Sequence, residues 1–243
     1  MARQTGPLKH SGTIGGINYY IMDGVGYARV AGGGFTKEAI KKSPRMGRIR
    51  DNNTEFGNAS AVKKMFKDSL RLFYGSQKDV KLHREMTSAF YQIRDFDFTS
   101  PRGQRSFAVG IQHPAGKKLF MSMEFAAQPL SSRKFVYDST SLCYTATIDP
   151  TDLAYRNGAT HVELRLGVVV MDFDERKARL FASAPLRIAK KDAVTDLSLT
   201  PLDTPIGNGL RIAVLFHRYL KLDNGEFYPL MDKAVYGLRV LDC

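Results

Sequence analysis

In the C-terminal half of the chain, apolar and polar residues alternate or run apolar over short stretches. Residues 141–148, 161–171, 177–188, 196–199, 210–220, 226–229 and 235–241 each read as a β-strand. Residues 106–112 and 118–125 have the same texture and are read the same way. Strands at about ten-residue spacing, with no long helix between them, predict an antiparallel β-sandwich of immunoglobulin-like or jelly-roll-like form. Asp223-Asn224-Gly225 is the strongest hairpin signal, because Asn-Gly adopts the positive φ that tight hairpins need. A polar turn is expected at 172–176.

Upstream the period changes. Phe56, Val62, Met65, Phe66, Leu70 and Phe73 recur mostly three or four residues apart, with Lys63, Lys64, Lys67 and Arg71 largely on the opposite face. A helix is expected from Thr54 as N-cap to a stop at Gly75. Ser43-Pro44 marks an earlier start, with proline at the first helical position. A further helix at 79–95 carries Leu82, Met86, Phe90 and Ile93 on one face and ends in the segment 95–101.

The first 43 residues return to period two, punctuated by glycine. Residues 11–21 read as one strand and 26–30 as its partner, joined through Asp23-Gly24. Gly32-Gly33-Gly34 reads as a hinge. A lone two-stranded hairpin is marginal in water, so the arm is expected to dock on something. Its docking residues would be Ile14, Ile17, Tyr19, Tyr20, Tyr27 and Arg29. The expected organisation is an α+β chain: a hairpin arm (1–43), a helical segment (44–100) and an antiparallel β-sandwich (101–243).

Charge sharpens the picture of the arm. The 243 residues hold 36 Lys+Arg against 24 Asp+Glu, a net charge of +12. Nine of the basic residues and two of the acidic ones fall in the first fifty, so that segment carries +7 of the total. Lys41, Lys42, Arg45, Arg48 and Arg50 lie within ten residues, and Lys63 and Lys64 follow. Such a set could track the phosphates of DNA or RNA, with Tyr19, Tyr20 and Tyr27 stacking on bases. The competing reading is a solvated helix face, or ion pairs to a partner subunit.

Catalytic chemistry finds little support. The five histidines are scattered, and none forms a metal-ligand spacing with a cysteine. The glycines at 12, 15 and 16 lack the Gly-Lys-Ser/Thr of a phosphate-binding loop. Asp172 and Asp174 could serve a sandwich hydrolase, but the run reads better as a turn. His217 lies in an alternating strand and reads as a structural histidine. Two cysteines, Cys143 and Cys243, are too few for a disulfide framework, and Cys143 is expected to be a small buried side chain. No catalytic residue, metal or cofactor is therefore expected. The N-terminus lacks the apolar core of a signal peptide, and no run reaches the roughly 20 apolar residues of a membrane span. A cytoplasmic or virion-associated location follows as the expectation.

Several segments together resemble a known family. They are Gly12-Thr-Ile-Gly-Gly-Ile-x-Tyr-Tyr20, Gly26-Tyr-x-Arg29, Gly32-Gly33, Ser43-Pro44, Arg48-x-Arg50-x-Asn52, Glu55-Phe-Gly57-x-Ala59 and Asn224-Gly-Glu-x-Tyr228-Pro-Leu. The pattern is similar to a family of Bacteroidota genomes and of mobile or phage-derived regions. That resemblance implies no activity, cofactor or catalytic residue, and it favours a structural or assembly role. The leading expectation is a non-enzymatic subunit of a larger assembly, with other subunits or copies of itself as partners. Sequence-independent nucleic-acid binding is the alternative. A sandwich hydrolase or carbohydrate-binding module ranks below both.

Overall fold

Gly15 and Gly16 take positive φ, 56° and 76°, and turn the chain back inside the stretch expected to be a single strand. The computed structural model describes residues 2–32, 36–75, 80–126, 134–153, 155, 158–230 and 236–243. The chain separates into two units, Met1–Arg50 and Asp51–Cys243.

The first unit contains β1 (Ala2–Arg3), β2 (Gly12–Ile14), β3 (Ile17–Met22) and β4 (Val25–Val30), an antiparallel sheet in the order β1-β4-β3-β2. The expected hairpin is present as β3–β4, turning at Asp23 and Gly24 with φ of 51° and 78°. Gln4 fastens the sheet: its Nε2 donates to the Tyr27 carbonyl (2.9 Å), and its Oε1 accepts from the His10 amide (2.7 Å). Helix α1 (Lys37–Lys42) follows, capped by Thr36 Oγ1, which accepts from the Ala39 amide at 3.1 Å. Of the expected hinge, Gly33 and Gly34 lie outside the described residues. Ser43 and Pro44 open a 3-10 turn (Pro44–Met46), although the Ser43 hydroxyl makes no capping bond.

Helix α2 (Gly47–Ser69) runs unbroken through Thr54, which is therefore not a helix start. Its first turns are polar, so the hydrophobic period becomes visible only at Phe56. Helix α3 (Arg71–Tyr74) stops at Gly75 as expected: φ is 64°, and its amide donates to the Arg71 carbonyl at 2.8 Å. Helix α4 (Val80–Arg94) buries Leu82, Met86, Phe90 and Ile93. Two short helices, α5 (Phe107–Gly110) and α6 (Pro114–Met121), occupy most of the segments expected to be strands at 106–112 and 118–125. Local capping explains the difference. Ser106 Oγ accepts from the Val109 amide (3.3 Å), and His113 Nδ1 accepts from the Ala115 amide (3.2 Å) with Pro114 at the first helical position.

Strands β5 (Glu124–Ala126), β6 (Lys134–Asp138), β7 (Cys143–Ile148), β8 (His161–Asp172), β9 (Lys177–Ala182), β10 (Leu186–Ala189), β11 (Thr195–Leu199), β12 (Leu210–Asp223), β13 (Glu226–Pro229) and β14 (Tyr236–Asp242) complete the second unit. The strand expected over 177–188 is thus two, β9 and β10. A seven-stranded sheet has the order β10-β8-β12-β14-β5, with β9 also pairing β8 and β13 also pairing β12; a three-stranded sheet has the order β11-β7-β6. The class is α+β with antiparallel sheets, as expected, and one sheet is curled into a half-barrel.

The strand period divides two cores between the faces of the large sheet. Val169 and Met171 of β8, Ile212, Val214 and Phe216 of β12, and Leu238 and Val240 of β14 pack with the helices. Val162, Leu164 and Leu166 of β8 and Leu215 and Tyr219 of β12 pack with Tyr144, Ile148, Leu197 and Leu199 of the small sheet. The expected helical segment therefore shares a core with the strands that follow it. Phe73 stacks on Phe216 at 5.0 Å, and Gly167 makes the room: a Cβ there would stand 2.8 Å from the Phe73 ring.

Gly110 plays a similar part between helices, since a Cβ at this position would collide with the Ile93 carbonyl of α4. Gly57, inside α2, has nothing within 4 Å of its would-be Cβ. Gly110→Ala should cost more than about 2 kcal/mol through backbone displacement. Gly57→Ala should stabilise by about 0.5–1 kcal/mol through helix propensity. Thermal unfolding of the two variants checks the pair, and the opposite ranking would refute this account of the packing.

Candidate functional site

The residues expected to form the docking arm fall on both faces of the N-terminal sheet. In the β2–β3–β4 register, Gly12 opposes Tyr19 and Ile14 opposes Ile17, while Ile17 opposes Val30 and Tyr19 opposes Ala28. Alternation puts Ile14, Ile17, Tyr19, Ile21 and Val30 on one face. Tyr20, Tyr27 and Arg29 lie on the other. The first face is open: Ile14 is 61% exposed, Val30 79% and Ile21 51%. On the second face Tyr20 and Tyr27 stack at 5.6 Å, and the Arg29 guanidinium lies 5.8 Å from the Tyr20 ring. Burying one apolar side chain such as Ile14 or Val30 is worth about 1.5–3 kcal/mol.

The members of the basic set have different surroundings. Lys41, Lys42, Arg45 and Arg48 are exposed, with Glu38 3.8 Å from Lys42. Arg50 instead holds the backbone together: its Nη1 donates to the carbonyls of Ile40 (2.7 Å) and Ser43 (2.9 Å), satisfying groups at the end of α1. Lys63 is only 5% exposed and lies 3.2 Å from His83 Nδ1. Burial holds its ammonium below the ordinary lysine range, with Lys67 pushing the same way. The Lys63 charge in turn keeps His83 below the usual histidine value, which suits the imidazole as acceptor. Lys64 stays exposed. Lys63 and Lys64 belong to the second unit and the other five residues to the first.

Two buried carboxylates organise the loop after α4. Glu55, fully buried in α2, accepts from Arg105 through Nε (2.9 Å) and Nη2 (2.8 Å), from the Gly103 amide (2.7 Å), and from Arg94 Nη1. Arg94 also lies over the Tyr91 ring at 3.9 Å. Asp95 bridges the two arginines at 3.1 and 3.2 Å. Removing Glu55 or Arg94, the two fully buried members, leaves an uncompensated charge, at a cost of about 3–5 kcal/mol. Asp97 accepts from the amides of Thr99 (3.2 Å), Ser100 (2.9 Å) and Ser106 (3.0 Å) and from the Thr99 hydroxyl (3.1 Å). Burial pushes its carboxyl up, but these hydrogen bonds outweigh burial and hold it at about 2.

A third buried carboxylate lies on the large sheet. Glu163 of β8 faces Arg187 of β10 on one side and Arg218 of β12 on the other, and Arg165 follows two residues along the same face. Its Oε1 accepts from Arg218 Nη2 (2.7 Å) and Arg165 Nε (3.1 Å), and its Oε2 from Arg187 Nε (3.0 Å). Sequence reasoning misses this constellation. Its signal is a glutamate and an arginine inside the apolar run 161–171, where an ion survives only when paired.

The other groups singled out in the sequence take the following positions. Asp172 Oδ1 accepts from the amides of Asp174 (3.0 Å) and Glu175 (2.9 Å), and Arg176 takes a φ of 53°, which makes the expected turn. His217 is buried edge-on to Tyr219 at 6.2 Å. Both cysteines are free thiols. Cys143 is only half-buried, against expectation, and approaches Ser198 Oγ at 3.1 Å. Burial raises the Cys243 thiol to about 11. Among the described residues, no group of three His, Cys, Asp or Glu is placed to hold a metal, and no helix is long and apolar enough to cross a membrane. The chain matches no protein-family model, no curated protein and no solved structure.

Asp97 makes stability depend on pH. Its folded-state value of about 2 lies below the ordinary carboxylate value near 3.9, so the fold favours the ionised form. The stabilisation is complete above about pH 5 and is lost as pH falls towards 2. Asp97→Asn should melt below the wild type at pH 7, and the gap should narrow from about pH 5 downwards. Melting curves of both proteins across that range check the sign; a gap that widens in acid would contradict it.

Proposed function

We propose that this protein is a non-enzymatic subunit of a larger assembly and docks onto a partner protein through its N-terminal sheet. The observation that carries this reading is the apolar face of exposed Ile14, Ile17, Ile21 and Val30, with half-buried Tyr19 among them, in a unit of fifty residues. A contiguous apolar face on so small a unit marks an interaction surface. The partner's chemistry follows from charge. Residues 1–50 carry +7, so two copies meeting through this unit would repel. The fitting partner presents an apolar strip rimmed by acidic side chains. The second unit serves as scaffold, its two sheets forming the layers of an irregular sandwich around their shared core. The resemblance to a family of phage-derived regions supports an assembly role and a location in the cytoplasm or within that assembly.

Deleting residues 1–35 should abolish co-assembly, read by size-exclusion chromatography with light scattering. The thermal transition of the second unit should survive. Ile17→Asp with Val30→Asp in the full chain should reproduce the loss. A truncated protein that still assembles like the full chain would refute the proposal.

A second reading, sequence-independent nucleic-acid binding, is favoured by Lys41, Lys42, Arg45 and Arg48 together with the Tyr20–Tyr27 stack under Arg29. Four phosphate contacts would give a log–log salt slope of about −3 to −4 on duplex DNA, at about 0.9 per contact. Replacing the four basic residues with Gln should flatten it. Absence of binding at low salt removes this reading and leaves protein docking.

A further inference from the structure

Glu163 stands in a surplus of positive charge. Three guanidiniums converge on one buried carboxylate, which leaves two charges uncompensated within the cluster. The carboxylate engages one N–H-bearing nitrogen from each arginine, Nε of Arg165, Nε of Arg187 and Nη2 of Arg218. The rest of each fork is left to point elsewhere. Among the described residues, buried Arg218 Nε has no hydrogen-bond partner, a cost that a structural ion cluster would ordinarily avoid. The arginines are not sealed in: the Arg187 side chain is 37% exposed, Arg218 24% and Arg165 17%. Arg187 also stacks on an aromatic ring, its guanidinium 4.2 Å from the centroid of Phe227, which His161 meets edge-on at 4.9 Å. Phe216, cross-strand from Arg165, is the aromatic on which Phe73 stacks. The arginine row continues the same face of the sheet past that contact.

We infer that Arg165, Arg187 and Arg218, held on Glu163, form a binding site for a phosphate dianion, either inorganic phosphate or the terminal group of a phosphate monoester. A planar guanidinium matches phosphate oxygens with two parallel N–H bonds, and three of them on a rigid sheet need no reorganisation to receive a ligand. The surplus of two charges matches a dianion rather than a monoanion. Glu163 fixes one edge of each guanidinium by hydrogen bonding and so presents the others together. All four residues belong to the second unit, so the site does not depend on the role of the N-terminal sheet.

The test is calorimetric titration of the full-length protein with sodium phosphate, and separately with adenosine monophosphate, in a background of sodium chloride. A saturable one-to-one isotherm with phosphate is expected, together with a rise in melting temperature that sodium chloride at matched ionic strength does not give. Tighter binding of the monophosphate than of phosphate identifies a monoester as the ligand; equal or weaker binding identifies the free ion. Arg187→Ala, at an edge strand and the most exposed of the three, should weaken phosphate binding about tenfold or more, as expected for a charge-assisted bidentate contact. If that variant fails to fold, Arg187→Lys keeps the charge, loses the fork and should still weaken binding. No saturable heat with either probe, a chloride effect equal to that of phosphate, or undiminished affinity in a folded Arg187 variant would overturn the assignment.

Discussion

Strands β8 and β12 pair from Leu210 opposite Met171 to Leu220 opposite His161, and most of the pair is covered on both faces. That double cover is the constraint on which the second unit depends. A strand buried on one side can alternate; one buried on both must be apolar throughout or neutralise each polar group within the sheet. Val162, Leu164 and Leu166 answer to the small sheet's side, and Val169 and Met171 to the helices. The exceptions are informative: Gly167 is absent as a side chain so that an aromatic ring can enter, and Glu163 survives only because arginines reach it from three positions. The helices arrange themselves to suit the same face, through aromatic contacts that run from Phe73 on Phe216 to Phe90 on Phe107 at 4.4 Å.

Much of this is legible along the chain, for physical reasons. Strands such as β11, β12 and β13 alternate or run apolar and are bounded by turn residues, so their positions follow from period alone. Gly75 and Asn224-Gly225 declare their positive φ through residue type. The failures share a cause as well. Helices α5 and α6 span four and eight residues, too short for a helical period to separate from a strand's, and only their caps, Ser106 and His113-Pro114, distinguish them. The polar first turns of α2 hide its true start. Gly15-Gly16 sits inside a continuous alternation, which conceals a turn between two strands. Buried ion clusters are illegible because their members come from distant strands and helices: Glu163 meets residues 187 and 218, and Glu55 meets residues 94 and 105.

The two units handle charge differently. In the second, three carboxylates, Glu55, Asp97 and Glu163, are drawn inside and met by arginines or by backbone amides. In the first, basic residues stand largely unopposed around an open apolar sheet. Arg29 rests on a tyrosine and Arg50 closes the end of α1, but Lys41, Lys42, Arg45 and Arg48 face solvent. Of the residues singled out in the sequence, Lys63 lies furthest from its expected place. It is on the inner side of α2 against His83, because the apolar stripe of that helix is wide enough to take in its neighbour.

The strand order also sets a timetable for synthesis. The N-terminal sheet is built from neighbours, with Ile14 opposite Ile17 and Met22 opposite Val25, so it can form while the ribosome is still making the helices. The large sheet cannot do the same. β14 lies between β12 and β5, and Phe125 waits for Leu238, more than a hundred residues later. Until residues 236–242 emerge, β12 presents a long unpaired apolar edge. In that interval the chain carries an unpaired apolar edge that the finished sheet no longer has, the condition under which growing chains associate wrongly.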